Sequence, residues 1–369
     1  MPFRGKKSPK ELKIGSPNPK FLTCVNNISE GLLTLGELNI PKIYSFPEQV
    51  PNWEKEDSLF YTRPYYKGSL VQPQNHLALF DIDWTITFAQ KKLKPHWNVD
   101  DIELLPNRQK ILENIVKLGY TLIFVTNQKV VAKDPKKIKQ AQEERVKRIQ
   151  NFITKLQLPC WVFVATGDDN YRKPNTGIWT KIKSFIPNIQ YAFYVGDALG
   201  RPQDFSDSDK KFAENIGIPY FTPEDIFPVE IVRPSLENKY LVITVGAQGT
   251  GKSTYTETYF PEYYMISSDK LKSNKKKILS ELEKQLKLKT SPGIVIDATN
   301  PTQEGREVYY ALGSKYGYKI IVLYFVRDGY GWNKLRTTTR VPDIAYNIFY
   351  SKLIQPTLEN TPGKLVLIN

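Results

Sequence analysis

Residues 240–253 read YLVITVGAQGTGKS: an apolar run, Tyr240–Val245, passes directly into Gly246-Ala-Gln-Gly-Thr-Gly251-Lys252-Ser253. A run of this kind feeding G-x-x-x-x-G-K-S and then a helical stretch predicts a strand, a phosphate-cradling loop and a helix. Gly246, Gly249 and Gly251 let the backbone curl so that successive amides and the helix amino terminus face an anion. Lys252 would reach the β- and γ-phosphates of ATP and the Ser253 hydroxyl would hold Mg²⁺, with Thr254 next to them at the nucleotide. Strand, spacing, lysine and serine together leave little room for a Gly-rich turn that binds nothing.

Such a loop serves switches and helicases as well as kinases, so acceptor chemistry has to be sought downstream. Asp269, in YYMISSDKL, ends the next predicted strand, where a carboxylate could take a proton from an attacking hydroxyl. It reads equally as the N-cap of the basic helix that follows. Asp297 ends a further strand in GIVIDATN, and Arg336 and Arg340 lie in a polar basic segment. Arginines there can clamp a transferring phosphoryl group, or can simply form a solvated helix face. Strands are also expected at YKIIVLYFV, and helices at KKKILSELEKQLKLK and EGREVYYALGSKYG.

Upstream, LALF, TLIFVT, WVFVAT and YAFYVG alternate with helical patterns in NRQKILENIVKLG, PKKIKQAQEERVKRIQNFITKL and PNTGIWTKIKSF. The order βαβαβαβ predicts a doubly wound α/β unit with its site at the carboxyl ends of the strands. Pro228 and Pro234 break the pattern in FPVEIVRPSLENK, which places a boundary near Ser235. The expected organisation is a basic segment 1–50 with no assigned role, a first unit over 51–234 and a second over 235–369. Both units are expected to be doubly wound parallel-sheet α/β domains.

LALF is followed by Asp81-Ile-Asp83-Trp84-Thr85, and strand alternation would put both carboxylates on one side of the sheet edge. Two adjacent anions favour a Mg²⁺ between them, although Asp also favours loop starts. Further polar groups end or follow the other strands: Thr126-Asn127, Arg172-Lys173-Pro174 and Asp197. Together they allow covalent phosphoryl transfer. Asp81 would attack phosphorus, and Asp83 would protonate the leaving oxygen and later activate water. Thr126, Asn127, Arg172 and Lys173 would hold the phosphate, and Asp81, Asp83 and Asp197 the Mg²⁺.

Composition narrows the alternatives. Among 369 residues, 40% are hydrophobic and 24% charged, a globular balance. The longest apolar stretch, Ile320–Val326, is far short of the roughly 20 residues a bilayer requires, and the amino terminus lacks a secretory h-region. Two cysteines, Cys24 and Cys160, and two histidines, His76 and His96, exclude a disulfide scaffold and a Cys/His zinc site. An intracellular protein is expected, nuclear in a eukaryote or cytoplasmic if viral. The net charge of +14 points to a polyanionic partner. It divides evenly about Ser235, so neither half is a detachable basic tail. Lys6, Lys7, Lys10 and Lys13 read as a nuclear address, a nucleic-acid arm or, preferably, a solvated terminus.

From about Trp53 to Asn360 the chain resembles bifunctional polynucleotide kinase 3′-phosphatases, in which a haloacid-dehalogenase-type phosphatase precedes a P-loop kinase. The resemblance rests on FDIDWTI, TNQ, ATGDDNYRKPNTGIW, VGDALGRP, DFSDSDKKFAENIGIPYFTPEDIF, GAQGTGKST, SSDKL, IDATNP and QPTLEN. It implies an enzyme that removes 3′-phosphate from DNA strand breaks and phosphorylates 5′-hydroxyl ends with ATP and Mg²⁺. A DNA ligase or other repair proteins would be its partners. It implies Asp81 as nucleophile, Asp83 as acid/base, Thr126 and Lys173 on the phosphate, Asp197 near the metal, Lys252 and Ser253 on nucleotide and metal, and Asp269 as base. Arg336 aligns with the family's lid arginine, with Arg340 as second choice. The chain departs from the family at Trp84, where many members have Gly, and at Lys129–Lys133, which replaces a Gly-rich segment. Trp84 makes that loop bulkier or offers a ring to a terminal base. A small-molecule phosphatase fused to a metabolite kinase is the competing enzyme class. A binding module with degenerate sites is a third reading, which filled catalytic positions argue against.

Overall fold

A computed structural model describes residues 51–368, apart from 67–68, 89–98, 228–230, 233, 236, 328, 330–332 and 334–339. The segment 1–50 and Arg336 lie outside the described residues.

Strands β1 (Asn52–Glu56) and β2 (Leu59–Arg63) form a hairpin, and β3 (Tyr65–Tyr66) and β4 (Ser69–Leu70) a small ladder. Then come β5 (His76–Phe80), a ribbon of β6 (Thr87–Phe88) and β7 (Glu103–Leu104), α1 (Arg108–Lys117) and β8 (Tyr120–Asn127). The first unit continues through α2 (Pro135–Leu156), β9 (Cys160–Ala165), α3 (Gly177–Phe185), β10 (Tyr191–Val195), α4 (Ser208–Ile216), β11 (Tyr220–Phe221) and α5 (Pro223–Ile226). Its main sheet has the order β1-β2-β9-β8-β5-β10-β11.

From β9 to β11 the strands are parallel, and β5 lies between β8 and β10. Helices cover both faces, so these strands read as continuous apolar runs. The period of two sorts their side chains. Phe80, Phe124 and Phe193 pack with Ile111 and Leu112 of α1 and Phe152 of α2, while Leu79, Ile123 and Tyr194 pack with Ile178 of α3 and Phe212 of α4. Helix α2 starts where Asp134 accepts a bond from the Lys137 amide at 3.0 Å, with Pro135 in its first turn. Its buried face runs from Gln142 and Arg148 to Phe152 and Leu156, so one end carries polar groups toward the sheet edge.

The sheet is not wholly parallel: β2 joins β9 antiparallel. The hairpin turns at Asp57 and Ser58, and β1 closes the edge with Glu54 and Lys55.

The second unit contains β12 (Tyr240–Val245), α6 (Lys252–Tyr259), β13 (Tyr264–Ser267), α7 (Lys275–Leu288), β14 (Gly293–Asp297), α8 (Gln303–Lys315), β15 (Lys319–Phe325), α9 (Asp343–Lys352) and β16 (Lys364–Ile368). Its sheet, β13-β14-β12-β15-β16, is parallel throughout and centred on the strand that feeds the Gly-rich loop.

The two units share apolar packing. Phe88, the last residue of β6, and Leu105, which follows β7, belong to the cluster built on Leu241, Ile243 and Val322, and Trp84 packs against it. Trp84 has φ of 64°, a left-handed conformation costly for a residue with a Cβ. Its half-buried ring thus packs at the junction of the two units.

Candidate functional site

In each unit the chemistry-bearing residues sit at the carboxyl ends of parallel strands, where backbone groups leave the ladder and point into open space. Asp81 directly follows β5, and its amide donates to the Val195 carbonyl at 2.9 Å. Lys173 arrives from the β9–α3 connection. Its ammonium lies within hydrogen-bond distance of Asp81 Oδ1 at 2.6 Å, Asp209 Oδ1 at 2.7 Å, the Tyr194 hydroxyl at 2.7 Å and the Val125 carbonyl at 2.8 Å, four acceptors for its three protons. Burial alone would lower the pKa of Lys173, but Asp209 and Asp81 outweigh it and raise it above its ordinary value. Burial likewise pushes the Asp81 carboxyl up to about 7, with Lys173 opposing and Asp209 and Asp83 adding to the rise.

Carboxylate oxygens of Asp81, Asp197 and Asp209 all lie within 4.8 Å of one another. Three hard oxygen donors at this spacing fit Mg²⁺. Asp209, in the first turn of α4, is 1% exposed and is absent from the sequence-predicted set. The signal for it is the tract DFSDSDKK, but which of its aspartates faces the site depends on helix phase. Gly196 creates the necessary space: a Cβ there would lie 2.3 Å from Asp209 Oδ2. Gly196→Ala is therefore expected to displace Asp209 and lower phosphate release about 10–100-fold, the usual cost of disturbing a metal ligand's surroundings. Nucleotide-dependent chemistry at the second site should stay unchanged; parallel assays of the two sites check this.

Asp83 does not join the three carboxylates. Strand β5 stops at Phe80, the chain turns, and Asp83 makes an isolated bridge with Thr87, so strand alternation no longer governs it. Its carboxylate instead accepts from Arg148 at 2.7 Å and from Gln128 at 2.6 Å. Asp83, expected among the metal ligands, thus stands outside the carboxylate group, which Asp209 completes instead. Gln128 also donates to Thr126 Oγ1 at 2.9 Å, which links Thr126 to Asp83. Asn127, expected on the phosphate, lies beside Lys173. Its amide brackets the Lys173 backbone, accepting from Lys173 N at 2.9 Å and donating to Lys173 O at 3.0 Å, so it positions the lysine. Arg172 pairs with Asp168 at 3.7 Å, outside the carboxylate group.

In the second unit a cavity of about 640 Å³ is lined by the loop residues Gln248–Thr254 together with Ser268, Asp269, Asp297 and Arg327. Gly249 and Gly251 have φ of 77° and 85°, and a Cβ on Gly249 would meet the Gly329 carbonyl at 2.5 Å. Lys252 is 9% exposed and its ammonium donates to the Ala247 carbonyl at 2.6 Å, within the loop it would serve. Ser253 Oγ donates to Asp297 Oδ2 at 2.7 Å, a hydroxyl–carboxylate pair that fits a Mg²⁺. Thr254 is exposed at the cavity wall, and Gly246 anchors the loop start by donating to the Thr299 carbonyl at 3.1 Å. Asp269 is exposed in the turn after β13 and faces the cavity. Asn274, not Asp269, caps α7, accepting from the Lys277 amide at 3.1 Å. Arg340 is not brought to the cavity: its side chain is solvated and lies 4.0 Å from Asp343, a neighbour on its own segment. Arg327, absent from the predicted set, occupies the wall instead.

A family model described as Polynucleotide kinase 3 phosphatase matches residues 76–227, and one described as AAA domain matches residues 241–329. The chain is 28% identical to the Bifunctional polynucleotide phosphatase/kinase of Schizosaccharomyces pombe, over 83% of this chain and 82% of that protein. It is 30% identical to a protein of Acanthamoeba polyphaga mimivirus with the same bifunctional designation, over 86% of this chain and 90% of the relative. Polynucleotide 3′-phosphatase ZDP of Arabidopsis thaliana is 27% identical over 54% of this chain and 30% of its own length. With two strand-end sites, one a carboxylate cluster and one a phosphate loop, and with relatives that span both, the chain belongs to the bifunctional polynucleotide phosphatase/kinase family.

Proposed function

We propose that this protein heals DNA strand breaks: residues 51–234 remove a 3′-phosphate and residues 235–369 phosphorylate a 5′-hydroxyl with ATP. The observation that carries the reading is the coexistence, in one chain, of a buried Asp81 held by Lys173 and a cavity that brings Asp269 together with Lys252 and Ser253.

In the first site Asp81 attacks the 3′-phosphorus as the bond to the 3′-oxygen breaks, and Asp83 gives that oxygen a proton. Asp83 then takes a proton from water, which attacks the aspartyl-phosphate and releases phosphate, restoring Asp81. Lys173 and Thr126 hold the equatorial oxygens, while Asn127 keeps Lys173 in place. Asp81, Asp197 and Asp209 would hold Mg²⁺, which supplies charge neutralisation for the phosphoryl group. In the second site Asp269 removes the proton of the 5′-hydroxyl, whose oxygen attacks the γ-phosphorus while the bridging oxygen leaves with ADP. Ser253 would hold that site's Mg²⁺. The products are ends that a DNA ligase consumes. Among the described residues no helix is long and apolar enough to cross a membrane.

The test is a nicked duplex bearing 3′-phosphate and 5′-hydroxyl ends, with Mg²⁺ and labelled ATP, both strands being resolved. Both ends should be converted. Lys252→Ala should lower 5′ phosphorylation about 10²–10³-fold, as loss of a charge-stabilising donor does, and leave 3′-phosphate removal intact. Release of phosphate from small esters with no change at either DNA end would refute the proposal.

A further inference from the structure

Arg327 stands two residues beyond β15 and lines the loop cavity, yet neither the G-x-x-x-x-G-K-S pattern nor the lid segment contains it. Its Nη1 lies 3.6 Å from where a Cβ on Gly251 would be, and Gly251 is the N-cap residue of α6. A guanidinium nitrogen is thus set against the amino terminus of the helix that opens the loop, and the missing side chain at Gly251 leaves it room. Among the described residues Arg327 has no hydrogen-bond or ion-pair partner. Burial lowers its pKa from the ordinary arginine value, opposed by Glu224 of α5 and by Tyr259 of α6. Glu224 itself pairs with Arg201 at 3.2 Å, and Arg108 places a further positive charge on the same side. A half-buried cation that has no bonded anion among the described residues and is set against a helix amino terminus is placed to pair with an anion entering the cavity. Both the helix end and the guanidinium favour the same charge there.

We infer that Arg327 is a ligand of the nucleotide's phosphate chain, a cation fixed to the sheet edge that acts beside Lys252. The inference rests on reading the cavity as the ATP site. It also gives the pocket a second positive charge from a position that does not depend on Arg340, which lies away from the cavity.

The experiment is titration of wild type, Arg327→Ala, Arg327→Lys and Lys252→Ala with Mg-ATP and, separately, with inorganic tripolyphosphate, which has phosphates but no base. The expected result is that Arg327→Ala weakens both ligands at least about tenfold, that Arg327→Lys recovers part of the loss, and that 3′-phosphate removal by the same preparations is unchanged, which shows the chain is folded. Weaker ATP binding with unaltered tripolyphosphate binding would place Arg327 on the base and overturn the inference. Unaltered binding of both ligands would overturn it too. If wild type binds neither ligand, the reading of the cavity fails first, an outcome distinct from a defect confined to Arg327→Ala.

Discussion

Asp81→Asn is expected to abolish 3′-phosphate removal, by about 10⁴-fold or more, while 5′ phosphorylation by the same preparation stays within twofold of wild type. The replacement keeps the shape of the side chain and removes only its nucleophilic charge. It also leaves Lys173 its bonds to Asp209, Tyr194 and Val125, so the ammonium is not abandoned. Burial, Asp209 and Asp83 all work against the ionised form of Asp81, so the neutral amide costs the fold little. The melting temperature should therefore shift by no more than a few degrees. End-labelled oligonucleotides measure both activities in one tube. Substantial phosphatase activity in the variant, or parallel loss of both activities, would contradict the two-site assignment.

The sequence displays some of this site plainly and hides the rest for identifiable reasons. Asp81, Asp197 and Asp297 each close a buried apolar run, and parallel strands covered on both faces write such runs continuously, so their ends can be located. Lys252 and Ser253 are local to one loop, and spacing alone finds them. Asp209 is different. It reaches the cluster because α4 packs with one phase against β10 and because Gly196 leaves space, and neither condition is local to DFSDSDKK. Asp83 is the converse case: the strand ends at Phe80, so its period of two does not set where the Asp83 side chain points. The β1–β2 hairpin escaped the parallel-sheet expectation because its pairing with β9 joins residues about a hundred positions apart. Arg327 follows the same strand-end rule as Asp81, two residues beyond β15.

Lys173→Met is expected to remove 3′-phosphatase activity and also to destabilise the first unit by about 3–5 kcal/mol, the usual cost of deleting one partner from a buried ionic group. The side chains of Lys173 and Asp209 are each 2% exposed, and that of Asp81 is 11% exposed, so water cannot replace the missing ammonium. Methionine fills much of the volume, which confines the effect to charge and hydrogen bonding. Asp81, Asp197 and Asp209 would then face one another with no lysine among them, and the Tyr194 hydroxyl, now donating to Asp209 at 2.9 Å, would lose its neighbour. The double variant Lys173→Met/Asp81→Asn removes one anion together with the cation. Its loss of stability should be smaller than the sum of the two single losses, because the residues are in direct contact and their contributions do not add. Denaturant titration of the four proteins measures the coupling. Strict additivity, or a Lys173→Met protein as stable as wild type, would show that Lys173 does not neutralise the cluster in solution.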